Sequence, residues 1–275
     1  MSSHAPHALL ITGATGSIGT KLRTHLMSRG GFDLRLLCIN PPGDPDVVTA
    51  DLSHYDERWA RHFQGVDTVI HLAGASSPLS DWAVVQRLIV DLSLNVYRAA
   101  ATHGVKRIVL ASSNWVVAGH RFTELRLTTH VPPAPINPYG SAKLFLERAG
   151  LELAARTGIS FISLRIGYAQ HAPGNVPGPH MEHGLWGQQM WLSDRDLCQG
   201  LERSALVPEV STAVLNLMSD NPGMRWDIGE TRRVIGFRPQ DGHQAVNSEA
   251  AEEKARTTRV ARETVERLRW LTGNW

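Results

Sequence analysis

The sequence predicts an α/β fold wound on both faces of a parallel sheet, and three features carry that reading. Short apolar runs without polar alternation recur through the first part of the chain, helix-compatible spacing lies between several of them, and the first run passes directly into a glycine-rich turn. Continuous runs of Val, Ile and Leu are the pattern of strands buried on both faces, and such strands belong to parallel sheets covered by helical crossovers.

The elements follow in order. Residues 8–12 predict the first strand, and residues 17–27 predict the first helix, with Ile18, Leu22 and Leu26 four apart on one face. Residues 34–39, 47–50, 68–72 and 107–111 predict further strands, and residues 161–166 a later strand of the same sheet. The stretches richest in Pro and Gly, 40–45, 131–138 and 173–179, are expected to be loops at the ligand-bearing edge. Beyond residue 167 the pattern is less regular. It ends in an expected helix over 248–271, where Glu252 and Arg256, and Glu263 and Arg267, sit four apart beside a stripe of Ala261, Val265 and Leu268. That helix is read as docked on its own domain, with a homodimer contact as the alternative.

Composition narrows the function. A chain of 275 residues is long enough to bury a substantial core, and its formal charge of +2, from 28 basic and 26 acidic residues, includes no polybasic block. Small-molecule partners are expected, not nucleic acid. Cys38 and Cys198 are far apart and lack metal-ligand spacing, so neither a disulfide framework nor a metal site is expected. Residues 1–7 lack a basic segment followed by an apolar one, and no apolar stretch reaches the ~20 residues that span a bilayer. A cytoplasmic protein without membrane contact is expected.

Two motifs carry chemistry. Gly13, Gly16 and Gly19 form a G-x-x-G-x-x-G spacing between the first strand and first helix. Glycines there permit a tight turn and close backbone approach to a pyrophosphate, while the helix start offers unpaired N–H groups to the anion; dinucleotide binding follows. The second motif is Tyr139-Gly140-Ser141-Ala142-Lys143. Four-residue spacing on a helix brings the Lys143 ammonium near the Tyr139 phenol, where it is expected to lower the phenol's pKa. Residues 111–114, Ala-Ser-Ser-Asn, end a buried strand, and ligands collect at the carboxyl ends of strands in doubly wound sheets.

In this order the glycine motif, the run Asp67-Thr68-Val69-Ile70-His71-Leu72-Ala73-Gly74, the 111–114 segment, Tyr139 with Lys143, and Leu164-Arg165-Ile166-Gly167 resemble the extended short-chain dehydrogenases of the NAD-dependent epimerase/dehydratase type. The resemblance covers roughly residues 8–240 and reaches Trp226-Asp227-Ile228-Gly229 and Ile235-Gly236-Phe237-Arg238-Pro239. The 111–114 string and Trp191-Leu192-Ser193-Asp194 look most like the uronate dehydrogenases, which oxidise a sugar acid at its anomeric carbon with NAD. It implies a Rossmann-type sheet, with a dinucleotide-binding domain over 1–167 and a small substrate-binding region over 168–275, interleaved with it.

The resemblance also implies roles. Tyr139 would be the acid/base, Lys143 would tune it and bind the nicotinamide ribose, and Ser113 would hydrogen-bond the reacting oxygen. Substrate contacts would come from Ser112, Asn114, Ser76 and Trp115. Cofactor contacts would come from Gly13, Thr15, Gly16, Ser17, Ile18, Gly19, Asn40, Asp51, Leu52, Leu72, Ala73, Gly74 and Ile166 as well as Lys143. Counting back from Gly119, as in the epimerases, puts Asn114 in the place of Ser113.

Several positions depart from the pattern. The second strand ends Leu37-Cys38-Ile39-Asn40, with neither an acid for the adenine ribose nor an arginine for a 2′-phosphate, so NAD is expected and NADP is compatible; Asn40 is read as a ribose donor or as a turn residue. Residues 89–93 replace the family's Asn-Val-x-Gly-Thr, which implies a missing polar support. His71 is read as structural. Residues 168–190, with His171, His180 and His183, form an insertion read as a mobile substrate lid, with a metal cluster as the alternative and no arginine assigned to a uronate carboxylate. Trp186 and Trp191 either cover a sugar face or pack in the core. The expected activity is NAD(P)-dependent oxidoreduction of a sugar-like or other small hydroxylated substrate, with nucleotide-sugar epimerisation or a catalytically silent binding protein as alternatives.

Overall fold

The computed structural model describes residues 5–41, 43–171 and 174–257. Seven parallel strands, β1 (His7–Thr12), β2 (Phe32–Cys38), β3 (Val47–Thr49), β4 (Thr68–His71), β5 (Arg107–Ser113), β6 (Ser160–Ile166) and β7 (Thr212–Leu217), form one sheet in the order β3-β2-β1-β4-β5-β6-β7. Strand order reverses between β1 and β4, the point at which doubly wound sheets take their ligands beyond the carboxyl ends of the strands. β7 is the strand that sequence periodicity missed, because Thr212, Ala213 and Asn216 interrupt its apolar run.

Two apolar cores cover the two faces. On one, Leu9, Ile11, Ile70, Val109 and Ile162 pack against Leu22 and Leu26 of α1 (Ser17–Arg29). On the other, Leu10, Val69, Ile108, Leu110 and Phe161 pack against Trp59 of α2 (Glu57–Ala60). A single helical stretch then runs through α3 (Trp82–Val85), a π-helical segment (Gln86–Asp91) and α4 (Leu92–Thr102). The long α5 (Pro138–Thr157) starts with Asn137 capping Gly140 N and proline in its first turn, and stops at Gly158 in the left-handed region. It lies close on the sheet because Gly150 faces Phe161, whose ring occupies the space a Cβ would take. Three further helices follow α5 before the terminal one: α6 (Leu185–Gln189), α7 (Asp194–Leu206), which joins α1 on the first face, and α8 (Gly229–Ile235).

The described part of the inserted segment, expected as a substrate lid, is anchored through buried residues. Asn175 is buried; its amide donates to Leu192 O and Asp194, both at 2.8 Å, and its Oδ1 accepts from Gln170 N and the Trp191 indole. Trp186 and Trp191 are likewise buried, Trp186 lying 4.4 Å from Trp226 between ring centroids, so core packing is their role. The expected terminal helix begins within residues 249–257, and its stripe of Ala261, Val265 and Leu268 lies outside the described residues. Among the described residues no helix is long and apolar enough to cross a membrane, and no group of three or more His, Cys, Asp or Glu side chains is gathered as a metal site would require.

Candidate active site

The glycine turn lies at the switch point. Gly13 has φ +71°, and a Cβ there would stand 2.8 Å from Ala73 N, so the loops after β1 and β4 touch through backbone alone. Gly19 is tighter still: a Cβ would come 2.2 Å from Gly13 O. Gly16 begins α1 with no side chain capping it and no acidic residue in the first turn. The helix start at Ser17 and Ile18 therefore presents donors and a positive dipole end to an anion, and the cradle fits a dinucleotide pyrophosphate.

Around this cradle, Thr15 donates its hydroxyl to the Cys38 thiol at 2.9 Å, tying the turn to the end of β2. Burial pushes that thiol up, but the Thr15 hydroxyl and the backbone N–H groups of Thr15, Ile39 and Asn40 bring it below its ordinary value. Asn40 is exposed just beyond β2, and Asp51 is exposed beyond β3, its carboxylate held below the usual range chiefly by the Ser53 hydroxyl. Leu52, expected beside the adenine with Asp51, has its side chain buried in the core, and its carbonyl accepts from Asn95.

The loop after β4 is held from below. Thr12 Oγ1 accepts from the N–H groups of both Leu72 and Ala73, at 3.2 Å each, and lies 2.7 Å from His71 Nδ1. The Thr12 proton therefore points at Nδ1, leaving Nε2–H to donate to Ser93 Oγ at 2.8 Å. Burial, with Lys143 nearby, holds His71 neutral, its pKa pulled down to about 3. Ser93 thus restores part of the polar support that the departure at 89–93 had implied was lost. The π-helical segment frees the Leu88 carbonyl to accept from Ala75 N at 3.3 Å, just past Gly74; Ser76 is exposed on the same loop.

At the end of β5 the proton-transfer group assembles. The Ser113 hydroxyl acts on the Tyr139 phenol, and its Oγ accepts from Trp115 N at 3.2 Å. Lys143 Nζ lies 5.7 Å from the Tyr139 ring centroid and donates to Ala111 O at 2.8 Å. Burial pushes the Tyr139 phenol up, and the opposing influence comes from Ser113 rather than from Lys143, as the four-residue spacing had suggested. Lys143, 7% exposed, is itself pulled down to about 8 by burial, against the attraction of Glu147. Neighbouring residues that sequence reasoning missed hold this arrangement. Asn137 both caps α5 and donates to Pro78 O, and Gly140 allows contact with the Trp115 carbonyl, from which a Cβ would stand only 2.6 Å.

The substrate side is reorganised. Ser112, expected as a substrate contact, instead faces α5, buried, and donates to Glu147 at 2.6 Å. Asn114 donates to Ile166 O at 3.2 Å, and its buried Oδ1 has no protein partner. Ser113 rather than Asn114 acts on Tyr139, which favours Ser113 over the alternative counted from Gly119. Trp115 is buried, edge-on to the His183 ring at 5.4 Å, and Tyr168 lies 6.2 Å from the same ring.

A dinucleotide cradle at the switch point of a doubly wound sheet, beside a Ser, Tyr and Lys at the end of β5, defines an oxidoreductase of the extended short-chain dehydrogenase class. Residues 9–183 match the NAD dependent epimerase/dehydratase family, and the chain belongs to it. It is 33% identical to the uronate dehydrogenase of Pseudomonas putida over 243 residues, covering 86% of this chain and 85% of that one. It is also 33% identical to the NAD-dependent glucose-6-phosphate dehydrogenase of Haloferax volcanii over 255 residues, covering 85% and 93%. A crystal structure of the Agrobacterium tumefaciens uronate dehydrogenase, a tyrosine-to-alanine variant complexed with NAD, superimposes with a TM-score of 0.73 at 26% identity, covering 93% and 90% of the two chains. The protein is an NAD-dependent enzyme with a Rossmann-type fold.

Proposed function

We propose that the protein oxidises one hydroxyl of a sugar or sugar acid to a carbonyl, with NAD as the oxidant. The observation that carries this reading is the convergence of Ser113, Tyr139 and Lys143 at the end of β5, next to the Gly13–Gly19 cradle. Names of relatives, among them uronate and L-arabinose dehydrogenases, support the substrate class.

In the proposed mechanism the Tyr139 oxygen takes the proton of the substrate hydroxyl while Ser113 hydrogen-bonds the same oxygen. Lys143, charged at neutral pH, would hold the nicotinamide ribose, and Ser113 is the group that counters burial of the Tyr139 oxygen accepting this proton; such positioned acid-base groups contribute ~10²–10⁴ in rate. The free Oδ1 of Asn114 accepts a hydrogen bond from a neighbouring substrate hydroxyl. Trp115, Tyr168 and His183 wall the site, and Arg121, which donates to His183 O, brings a guanidinium to that wall that suits a carboxylated sugar. The 168–275 region would thus form the substrate side and 1–167 the cofactor side. When bound, the nicotinamide supplies the acceptor for the hydride leaving the same carbon.

NAD would lie with its pyrophosphate on Gly13, Gly16 and the α1 start, and with its adenosine toward Cys38, Asn40 and Asp51. Arg23, which α1 presents to the β2–β3 turn, is already paired with Asp44 and Asp46, which supports NAD over its 2′-phosphorylated form. Two unpaired cysteines suit a cytoplasmic setting, and a homodimer is the proposed assembly, to be read by light scattering. The decisive assay follows reduced-cofactor absorbance over a panel of uronates, aldoses and hexose phosphates with NAD and NADP. Turnover of at least one sugar is expected; cofactor binding without turnover of any panel member would overturn the reading.

A further inference from the structure

One turn beyond Lys143 the same face of α5 carries a carboxylate. Glu147 is 2% exposed, and both its oxygens are engaged: Oε1 accepts from Ser112 Oγ at 2.6 Å and Arg165 Nε at 3.0 Å, and Oε2 from Arg165 Nη2 at 2.8 Å. Ser112 and Arg165 are register partners on β5 and β6, so the sheet itself holds the two donors side by side. Lys143 is anchored on Ala111 O, the residue before Ser112. Two cations and one anion thus share a space that water does not reach.

A buried ion pair can commonly be replaced by apolar groups of similar volume without loss of stability, so stability does not account for an Arg–Glu pair at this position. The surroundings of Lys143 suggest what does. Around Lys143 stand Tyr139 and Glu147 on its own helix, neutral His71 on β4 and the Ala111 carbonyl on β5; Glu147 in turn is held by Arg165 of β6 and acts on Tyr97 of α4, whose hydroxyl donates to Leu146 O and is kept un-ionised by burial and by Glu147. Glu147 is the anion in this set, and it is the group that opposes the effect of burial on Lys143.

We propose that Glu147, gripped by Ser112 and Arg165, is a positioning residue that supplies the countercharge keeping Lys143 an ammonium beneath Tyr139. The proposal rests on Tyr139 and Lys143 being the acid-base pair. Its test does not need turnover, because the chain has four lysines, Lys21, Lys106, Lys143 and Lys254, and the Lys143 side chain can be followed by lysine ¹³C NMR in the cofactor-free protein, with Lys143→Met assigning its signal. Glu147→Gln should make Lys143 release its proton at a pH lower by about one unit, the scale of a nearby opposite charge, and should lower kcat at neutral pH several-fold with the melting temperature held apart as a separate reading. The double variant Glu147→Gln/Arg165→Met, which leaves no unpaired arginine behind, should shift the titration in the same direction by a smaller amount and guards against a misfolded single variant. A Lys143 titration unchanged from the wild type in the folded variant or variants would overturn the proposal and leave Glu147 a merely structural residue. Activity surviving in Tyr139→Phe would instead break the acid-base reading itself.

Discussion

The Ser113 hydroxyl at the end of β5 acts on the Tyr139 phenol in the first turn of α5, working against the burial that pushes this phenol up. Both groups then face the position where a substrate oxygen would sit. Tyr139→Phe should lower kcat by ~10²–10⁴ while cofactor affinity, measured by calorimetry, changes little. Near-native turnover in this variant would remove the assignment.

Two glycines outside the nucleotide cradle's tip test the backbone contacts. Gly140→Ala would push a methyl into the Trp115 carbonyl and displace α5 from β5, and Gly19→Ala would do the same between α1 and the Gly13 loop. Each is expected to cost ~1–3 kcal/mol of stability from overpacking. Gly19→Ala should chiefly weaken cofactor binding and Gly140→Ala should chiefly lower kcat; identical effects in both assays would contradict this division.

The buried ammonium of Lys143 has a stability cost whose pH dependence can be worked out. Its folded pKa, about 8, lies below the ordinary 10.5, so between these values the unfolded chain binds more protons and stability rises with pH. Below 8 the penalty is complete, at ~3 kcal/mol from ~1.4 kcal/mol per pH unit. Lys143→Met should therefore be more stable than the wild type at pH 7 by ~2–3 kcal/mol in urea titrations, and inactive, with an advantage that shrinks from pH 8 toward 10.5. A less stable variant at pH 7 would count against the burial argument.

The two cysteines offer a probe of where the cofactor binds. Cys38 is half-buried at the end of β2, with its thiol below the ordinary value, whereas Cys198 is buried in α7 and pushed up to about 12. A maleimide should label Cys38 in the cofactor-free protein and leave Cys198 untouched, and NAD should slow the labelling. Equal rates with and without saturating NAD would place the adenosine elsewhere.

Much of this molecule is determined by local sequence. The positions of β1, β2, β4, β5 and β6, the glycine turn and α1 follow from continuous apolar runs and from a turn that only glycine allows. The Tyr139–Lys143 spacing follows from helical geometry in the same way. Tertiary structure decided which neighbours these residues meet. Ser112 and Ser113 are adjacent and chemically identical, yet Ser112 meets Glu147 inside the sheet–helix contact while Ser113, the last residue of β5, meets Tyr139 in the first turn of the same α5, and the choice depends on where that helix crosses the strand end. Arg165 was the visible clue to the buried carboxylate, since a charge inside an otherwise apolar strand requires a partner, but only the β5–β6 register shows that the partner is Glu147. β7 and the packed segment around Asn175 also escaped periodicity, because long-range hydrogen bonds hold them where no regular apolar pattern could. Local periodicity records burial; the direction and charge of each neighbour arise only when distant segments pack together.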